Sequence, residues 1–309
     1  MSASTGFGKH GWAERPPLQH GRAGLTAVTV DDRILAIGGF DSDTTMNVVE
    51  SRSLSGAGEW RSVAPMSTRR DNFAAVTLEG RVYVIGGFDE HGHRLASVEI
   101  YDPRTDRWTP GPDLPERRAA ASAAVLNGLV YVAGGVLNSN FVTPSMVVFE
   151  PQKNVWQSAA PMGTARMQLR LVVSGQHVYA VGGRDHGPSL STVERYEPVS
   201  DRWSTLRPLR EARAAAGAVA TTVRNRQVLA VVAGVVFDEN GKFVDGLRTT
   251  EIFDIERGSW TTLGHLLPEV RGSFGCVVDG DGAVLAISGG TNDDGIVRFL
   301  RDVDALFLN

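Results

Sequence analysis

The sequence predicts an all-β chain closed into a ring of six four-stranded blades, a propeller, and three periodic features predict it. A double glycine recurs at one constant interval, at Gly38-Gly39, Gly86-Gly87, Gly134-Gly135 and Gly182-Gly183, and Ala233-Gly234 and Gly289-Gly290 extend the series. Tryptophans keep step at Trp60, Trp108, Trp156, Trp203 and Trp260, the last four preceded at a fixed distance by Tyr101, Phe149, Tyr196 and Phe253. Arg22, Arg70, Arg118, Arg166 and Arg213 each follow a tryptophan at one and the same distance, and Arg271 follows Trp260 one position later than that. A chain of 309 residues would by length alone suggest two domains. A period near 48 instead indicates one supersecondary unit repeated around a ring.

Each unit reads as four strands in chain order. In the second unit, NFAAVTLEG alternates apolar and polar residues and ends at a glycine turn. RVYVIGG is a short β-branched run ending at the double glycine, and SVEIYDP alternates again and stops at proline. RWTPGPDLP carries prolines that a central strand would not tolerate, so it belongs at an edge. No long window shows helical periodicity. The last unit begins at Arg271 and ends with DVDALFLN, a match to SVEIYDP, before any fourth strand. Trp12 has no unit before it, yet stands ahead of Arg22 at the distance the other tryptophans keep from their arginines. Residues 11–18 are therefore predicted to complete the last blade, which closes the ring and removes open edges. The predicted blades are 22–64, 70–112, 118–160, 166–207, 213–264, and 271–309 with 11–18, in one propeller over 1–309.

This spacing of Tyr, Gly-Gly and Trp resembles the Kelch repeat, over nearly the whole chain. The resemblance implies a β-propeller with four-stranded antiparallel blades, with loops between strands two and three on the same face as those joining successive blades. The glycines suit left-handed backbone and close approach. Ala233 in the fifth unit suggests that the first glycine position demands smallness more than positive φ. The Tyr/Trp pairs are expected to pack between blades, and Tyr83, Tyr131 and Tyr179 to pack within them.

Several function classes are excluded. A net charge of −4 argues against a polyanion-binding surface, so no nucleic acid is expected. The single cysteine, Cys276, rules out an internal disulfide framework and a multi-cysteine metal site, and reads as a small buried hydrophobe. No run approaches 18 apolar residues, and the first residues lack the apolar core of a leader, so a cytoplasmic chain without membrane contact is expected. The Ala/Val/Arg/Gly-rich composition resembles that of bacterial proteins from high-GC genomes. The double glycines are not phosphate loops, because a loop and another strand follow them, not a helix N-terminus. His91, His93 and Asp89 form too weak a set for a metal site, and no cofactor is expected.

Candidate site residues lie in the loops after each double glycine. These differ between units while their flanks agree, which is the pattern of a recognition surface on a repeated scaffold. In peptide-binding Kelch domains the residues after Gly-Gly line the binding face. By position the resemblance implies Phe40, Asp41, Phe88, Asp89, Arg184, Asp185 and Asn292, with Val136, Val235 and Thr291 at the remaining positions, and Arg94 and His186 within their loops. The six repeat arginines Arg22, Arg70, Arg118, Arg166, Arg213 and Arg271 are further candidates, since six cations about one axis would attract an anion. The plainer reading makes them part of the repeat itself, bonding loop carbonyls in every blade. Glu50, Glu99, Glu194 and Glu251 recur in third strands, placed to cancel much of that field. Arg69, Arg117 and Arg170 are extra arginines not found in every unit. Two functions stay open: recognition of a small molecule, peptide or protein at one channel mouth, or a stand-alone isomerase, mutarotase or cyclase acting on an anionic or carbonyl-bearing molecule in an arginine-lined channel.

Overall fold

A computed structural model describes residues 11–55, 58–293 and 296–308. The first ten residues, read above as leaderless, and residues 294–295 of the sixth loop lie outside them. Within the described residues there is no helix, and the main strands assemble into six four-stranded antiparallel sheets arranged as a propeller. Blade two shows the unit: Ala74–Leu78, Arg81–Ile85, Val98–Asp102 and Arg107–Gly111, in that order from inside to outside. The second strand is buried at four of its five positions, as expected of a β-branched run packed on both faces. The outermost strand, with Pro110, is mostly exposed. Blades three and five add a short ribbon each on the loop side, Arg118–Ala119 with Val136–Leu137 and Val235–Phe237 with Phe243–Gly246.

Blade six consists of Gly275–Val278, Val284–Asp293 and Ile296–Leu306, closed on the outside by Trp12–Arg15. The closing strand runs antiparallel, from Trp12 opposite Leu306 to Arg15 opposite Val303. The two ends of the chain are thereby held in one sheet, as the spacing of Trp12 predicts.

The core lies in wedges between blades. One wedge joins Val28, Leu35, Ile37 and Val49 of blade one to Val82, Val84 and Tyr101 of blade two. In blades two to five the repeat aromatics pair within the blade, as Tyr101 with Trp108 at 5.0 Å and Phe253 with Trp260 at 4.8 Å between ring centroids. Each of these tryptophans then reaches the preceding linker: the Trp108 indole N–H donates to the Ala64 carbonyl at 2.8 Å, and that of Trp260 to Arg207 at 2.8 Å. Tryptophan therefore ties a blade to its neighbour through both area and a satisfied polar tip.

The glycine pairs tie blades together on the loop side. The second member donates its N–H to the carbonyl of the next blade's arginine: Gly39 to Arg70, Gly87 to Arg118, Gly135 to Arg166, Gly183 to Arg213, Gly234 to Arg271 and Gly289 to Arg22, at 2.8–3.2 Å. A Cβ on Gly38 would lie 2.6 Å from the Arg70 carbonyl oxygen, which explains the first glycine. Two sequence expectations change here. Ala233 keeps φ +52, so this position does require left-handed backbone. In blade six the equivalent pair is Ser288-Gly289 and not Gly289-Gly290, because Ser288 has φ +61 and the ladder slips between Ile287 and Gly289.

Candidate functional site

The six repeat arginines do not face the axis or the loops. Arg22, Arg70, Arg166, Arg213 and Arg271 have no exposed surface and Arg118 has 3%. Five of them meet a third-strand carboxylate: Arg22 with Glu50 at 2.5 Å, Arg70 with Glu99 at 2.7 Å, Arg166 with Glu194, Arg213 with Glu251 at 2.7 Å and Arg271 with Asp304 at 2.6 Å. Terminal N–H groups of these arginines also go to backbone carbonyls, as from Arg70 to Gly86 and Ser97. Burial pulls each guanidinium pKa down and the paired carboxylates pull it back. These residues thus leave the list of ligand-binding candidates for a physical reason: they are buried inside the blades, out of reach of a ligand in the channel or on the loop face.

The loop-side mouth has a sealed floor. Gly24, Asn72, Ala120, Gln168, Ala215 and Ser273 occupy equivalent positions ahead of the six innermost strands, all with φ between +46 and +66. The N–H of each donates to the carbonyl of its counterpart in the preceding blade, and Gly24 donates to Ser273, so six hydrogen bonds of 2.7–2.9 Å close a circle about the axis. Left-handed backbone turns each N–H sideways along the ring, where no strand ladder could use it. The space directly beneath is about 20 Å³, room for about one water.

Above this floor the variable loops form a shallow rim. Phe40 bridges to Ala23, Phe88 to Asp71, Arg184 to Met167 and Val235 to Ala214, which puts the loop between strands two and three beside the inter-blade linker. Loops of blades two, three and four are linked: the Arg94 guanidinium donates to the Asn140 side chain at 2.6 Å, and His186 Nε2 lies 2.9 Å from the Asn140 carbonyl. Arg184 donates to Gln168 Oε1 at 2.9 Å and lies 4.0 Å above the Phe237 ring, a cation–π contact. Burial lowers its pKa, with Asp185 opposing. Phe40 packs edge-on against Phe299 of blade six at 5.6 Å. Phe141, Val244 and Val297 stand out at 58%, 58% and 55% exposed, on the loops of blades three, five and six.

The acidic candidates hold their own loops. Asp41 accepts from the Asp43 and Thr44 N–H groups, Asp89 from those of His91 and His93, and Asp185 from that of His186. Such turns shape a loop and leave only part of the carboxylate for a ligand. Asn292 lies one position beyond the place equivalent to Asp41, because of the slip in blade six. Sequence reading passed over Asp71, which is 8% exposed and accepts from Thr45 Oγ1 at 2.9 Å and Asn72 Nδ2 at 2.8 Å. Desolvation raises its pKa. The signal was present: the equivalent positions are Ala23, Ala119, Met167, Ala214 and Gly272. Cys276 is half-buried toward the channel, its thiol pushed up to about 12 by desolvation, so it is not fully enclosed but is not a nucleophile. Among the described residues no cluster of three His, Cys, Asp or Glu could hold a metal ion, and no helix is long and apolar enough to cross a membrane.

Comparison with known proteins agrees with this geometry. A family model described as the KLHDC2/KLHL20/DRC7 Kelch-repeats domain matches residues 12–183, and a Kelch motif model matches residues 165–210. A solved structure titled "Structure of YjhT" superposes with a TM-score of 0.80 over 94% of this chain and 95% of that one, at 17% sequence identity, a likeness of fold.

Proposed function

Since the chain belongs to the Kelch-repeat family, we propose that it is a recognition module whose loop face binds a peptide or protein segment carrying apolar and acidic side chains. The observation that carries this reading is the rim itself. Phe141, Val244 and Val297 are the large apolar side chains left open there, and Arg94 and Arg184 stand among the same loops on aromatic neighbours. Apolar anchors beside arginines above a floor sealed by backbone suit a broad partner better than a small substrate, which needs a deep enclosed pocket. Peptides selected from a random display library on this protein should be enriched in acidic and apolar residues. Phe141→Asp and Arg184→Ala should each weaken their binding about tenfold or more, with thermal unfolding unchanged. Selected peptides that bind both variants as tightly as the parent would place recognition elsewhere.

The catalytic alternative draws support from Asp71, a carboxyl beneath the Phe88 loop whose pKa is raised by desolvation. Its arginine-lined channel cannot rest on the six repeat arginines, which are buried in the blades.

A further inference from the structure

Six equivalent positions begin the innermost strands that line the axial channel below the sealed floor: Thr26, Ala74, Ser122, Arg170, Gly217 and Gly275. Five are small and uncharged, and Arg170 is the one long charged side chain among the six. Its Nε donates to the Ala216 carbonyl at 2.7 Å and one terminal nitrogen to the Phe274 carbonyl at 3.0 Å, so it spans from blade four to blades five and six. A guanidinium has five N–H donors, and three of these have no protein acceptor among the described residues. It lines a cavity of about 100 Å³ with Ser122, Thr26, Cys276, and walls of alanine, Phe73 and Phe274. Below lies a wider vestibule of about 360 Å³, lined by Val, Ala, Leu and Thr side chains with Cys276. Among the described residues no carboxylate lines either space or the small one above.

We propose that this channel is a binding site for a small monovalent anion of one to four heavy atoms, such as chloride, nitrate or formate, held by Arg170 and entered from the mouth opposite the loop face. Arg170 is half-buried in the narrow channel, where burial lowers its pKa, and it lacks the carboxylate that five of the six repeat arginines meet. A cavity of about 100 Å³ is some three waters in volume. It therefore admits a bare small anion, while the largely apolar vestibule below offers a polyhydroxylated organic acid few hydrogen-bond partners. Ser122 is a second donor: its Oγ accepts the Leu171 N–H at 2.9 Å, which leaves its proton free for an anion. The closed ring above makes the site a dead end, so the bound ion is screened from the loop-face partner.

The test uses the intact protein at constant ionic strength, with gluconate, whose hydroxyls find few partners in the largely apolar channel, as the balancing anion. Titration with chloride, nitrate or formate should raise the melting temperature in a saturable way, by about 2 °C at several times Kd. Chloride-35 resonances should broaden in the presence of the protein and sharpen again when nitrate is added. Arg170→Gln and Arg170→Met should abolish both effects. A second variant, Ala123→Val, keeps the arginine and narrows the passage shared by the cavity and vestibule; it should weaken anion binding at least fivefold. The proposal is overturned if the parent shows no saturable shift and no displaceable broadening, or if the Arg170 variants retain them. Should the Arg170 variants fail to fold, the displaceable broadening in the parent and its loss in Ala123→Val decide the matter.

Discussion

Arg70 in blade two and Arg118 in blade three stand one repeat apart, in the same buried place in their blades, and among the described residues only Arg70 is bonded to a carboxylate. Both donate to the carbonyl of a first glycine, Gly86 or Gly134, and to a serine, Ser97 or Ser145. Arg70 adds Glu99, whose carboxylate also accepts the Ser67 and Thr68 N–H groups at 2.7 and 3.1 Å. In blade three the position of Glu99 is Val147 and that of Ser67 is Pro115, which has no N–H to give. Burial leaves Arg118 with its pKa lowered to about 10, with Glu116 of the linker opposing.

A second carboxylate follows the same rule. Asp106 accepts the Tyr101 hydroxyl at 2.8 Å and the Ala64 N–H at 2.9 Å, and Asp201 of blade four does the same with Tyr196 and Ala160. The blade-three counterparts are Asn154, Phe149 and Pro112. Donor, acceptor and hydroxyl have been exchanged together at both places, and the aromatic stacking survives unchanged at 5.1 Å. Each of these carboxylates thus stands only where its N–H donor is present, because a carboxylate stripped of its donors costs more than an apolar replacement. Blade six is intermediate: Pro268 stands in its linker and the shorter Asp304 replaces glutamate, its pKa raised by desolvation.

Removing one arginine should break the comparison most visibly. Arg70→Met strands Glu99 and should cost about 3–5 kcal/mol in urea denaturation. Arg118→Met strands only carbonyls and should cost about 1–2 kcal/mol; equal losses in the two blades would refute the distinction. Rebuilding the set in blade three sharpens it further. Val147→Glu with Pro115→Ser should exceed the sum of the single changes by about 1 kcal/mol in a double-mutant cycle, since the carboxylate needs its N–H donor. The smallest effect concerns Asp201. The Ala160 N–H and the Tyr196 hydroxyl hold its pKa below the ordinary aspartate value. A lowered carboxylate adds stability that is present above the unfolded value, about 3.9, and lost as pH falls through the folded one. Asp201→Asn should therefore cost stability at neutral pH, below about 1 kcal/mol because this surface pair is screened. The gap to the parent should close in strong acid.

Much of this architecture is legible in one chain because its determinants are local and repeated six times. Alternation sets which face of a strand is buried, proline marks the edge strand, and the fixed distance from Trp12 to Arg22 identifies the strand that closes the ring. Among the departures from the repeat, sequence reading singled out Arg170 and passed over Val147, Pro115 and Asp71, and spacing assigns none of them a partner. The register of blade six was misplaced by one, since Ser288 does the work of a glycine and a serine carries no such signal.

The sequence by itself determined the number of blades, the order of their strands, the closure and the loops that vary. Only the tertiary structure decided that four of the repeat arginines turn inward to glutamates in the third strands of their own blades, that six N–H groups seal the mouth, and that Arg170 of blade four meets the Phe274 carbonyl of blade six. The reason is geometric. A strand's period of two tells a side chain's face, while its partner depends on which blades the closed ring brings alongside, and that distance is not written in any local pattern.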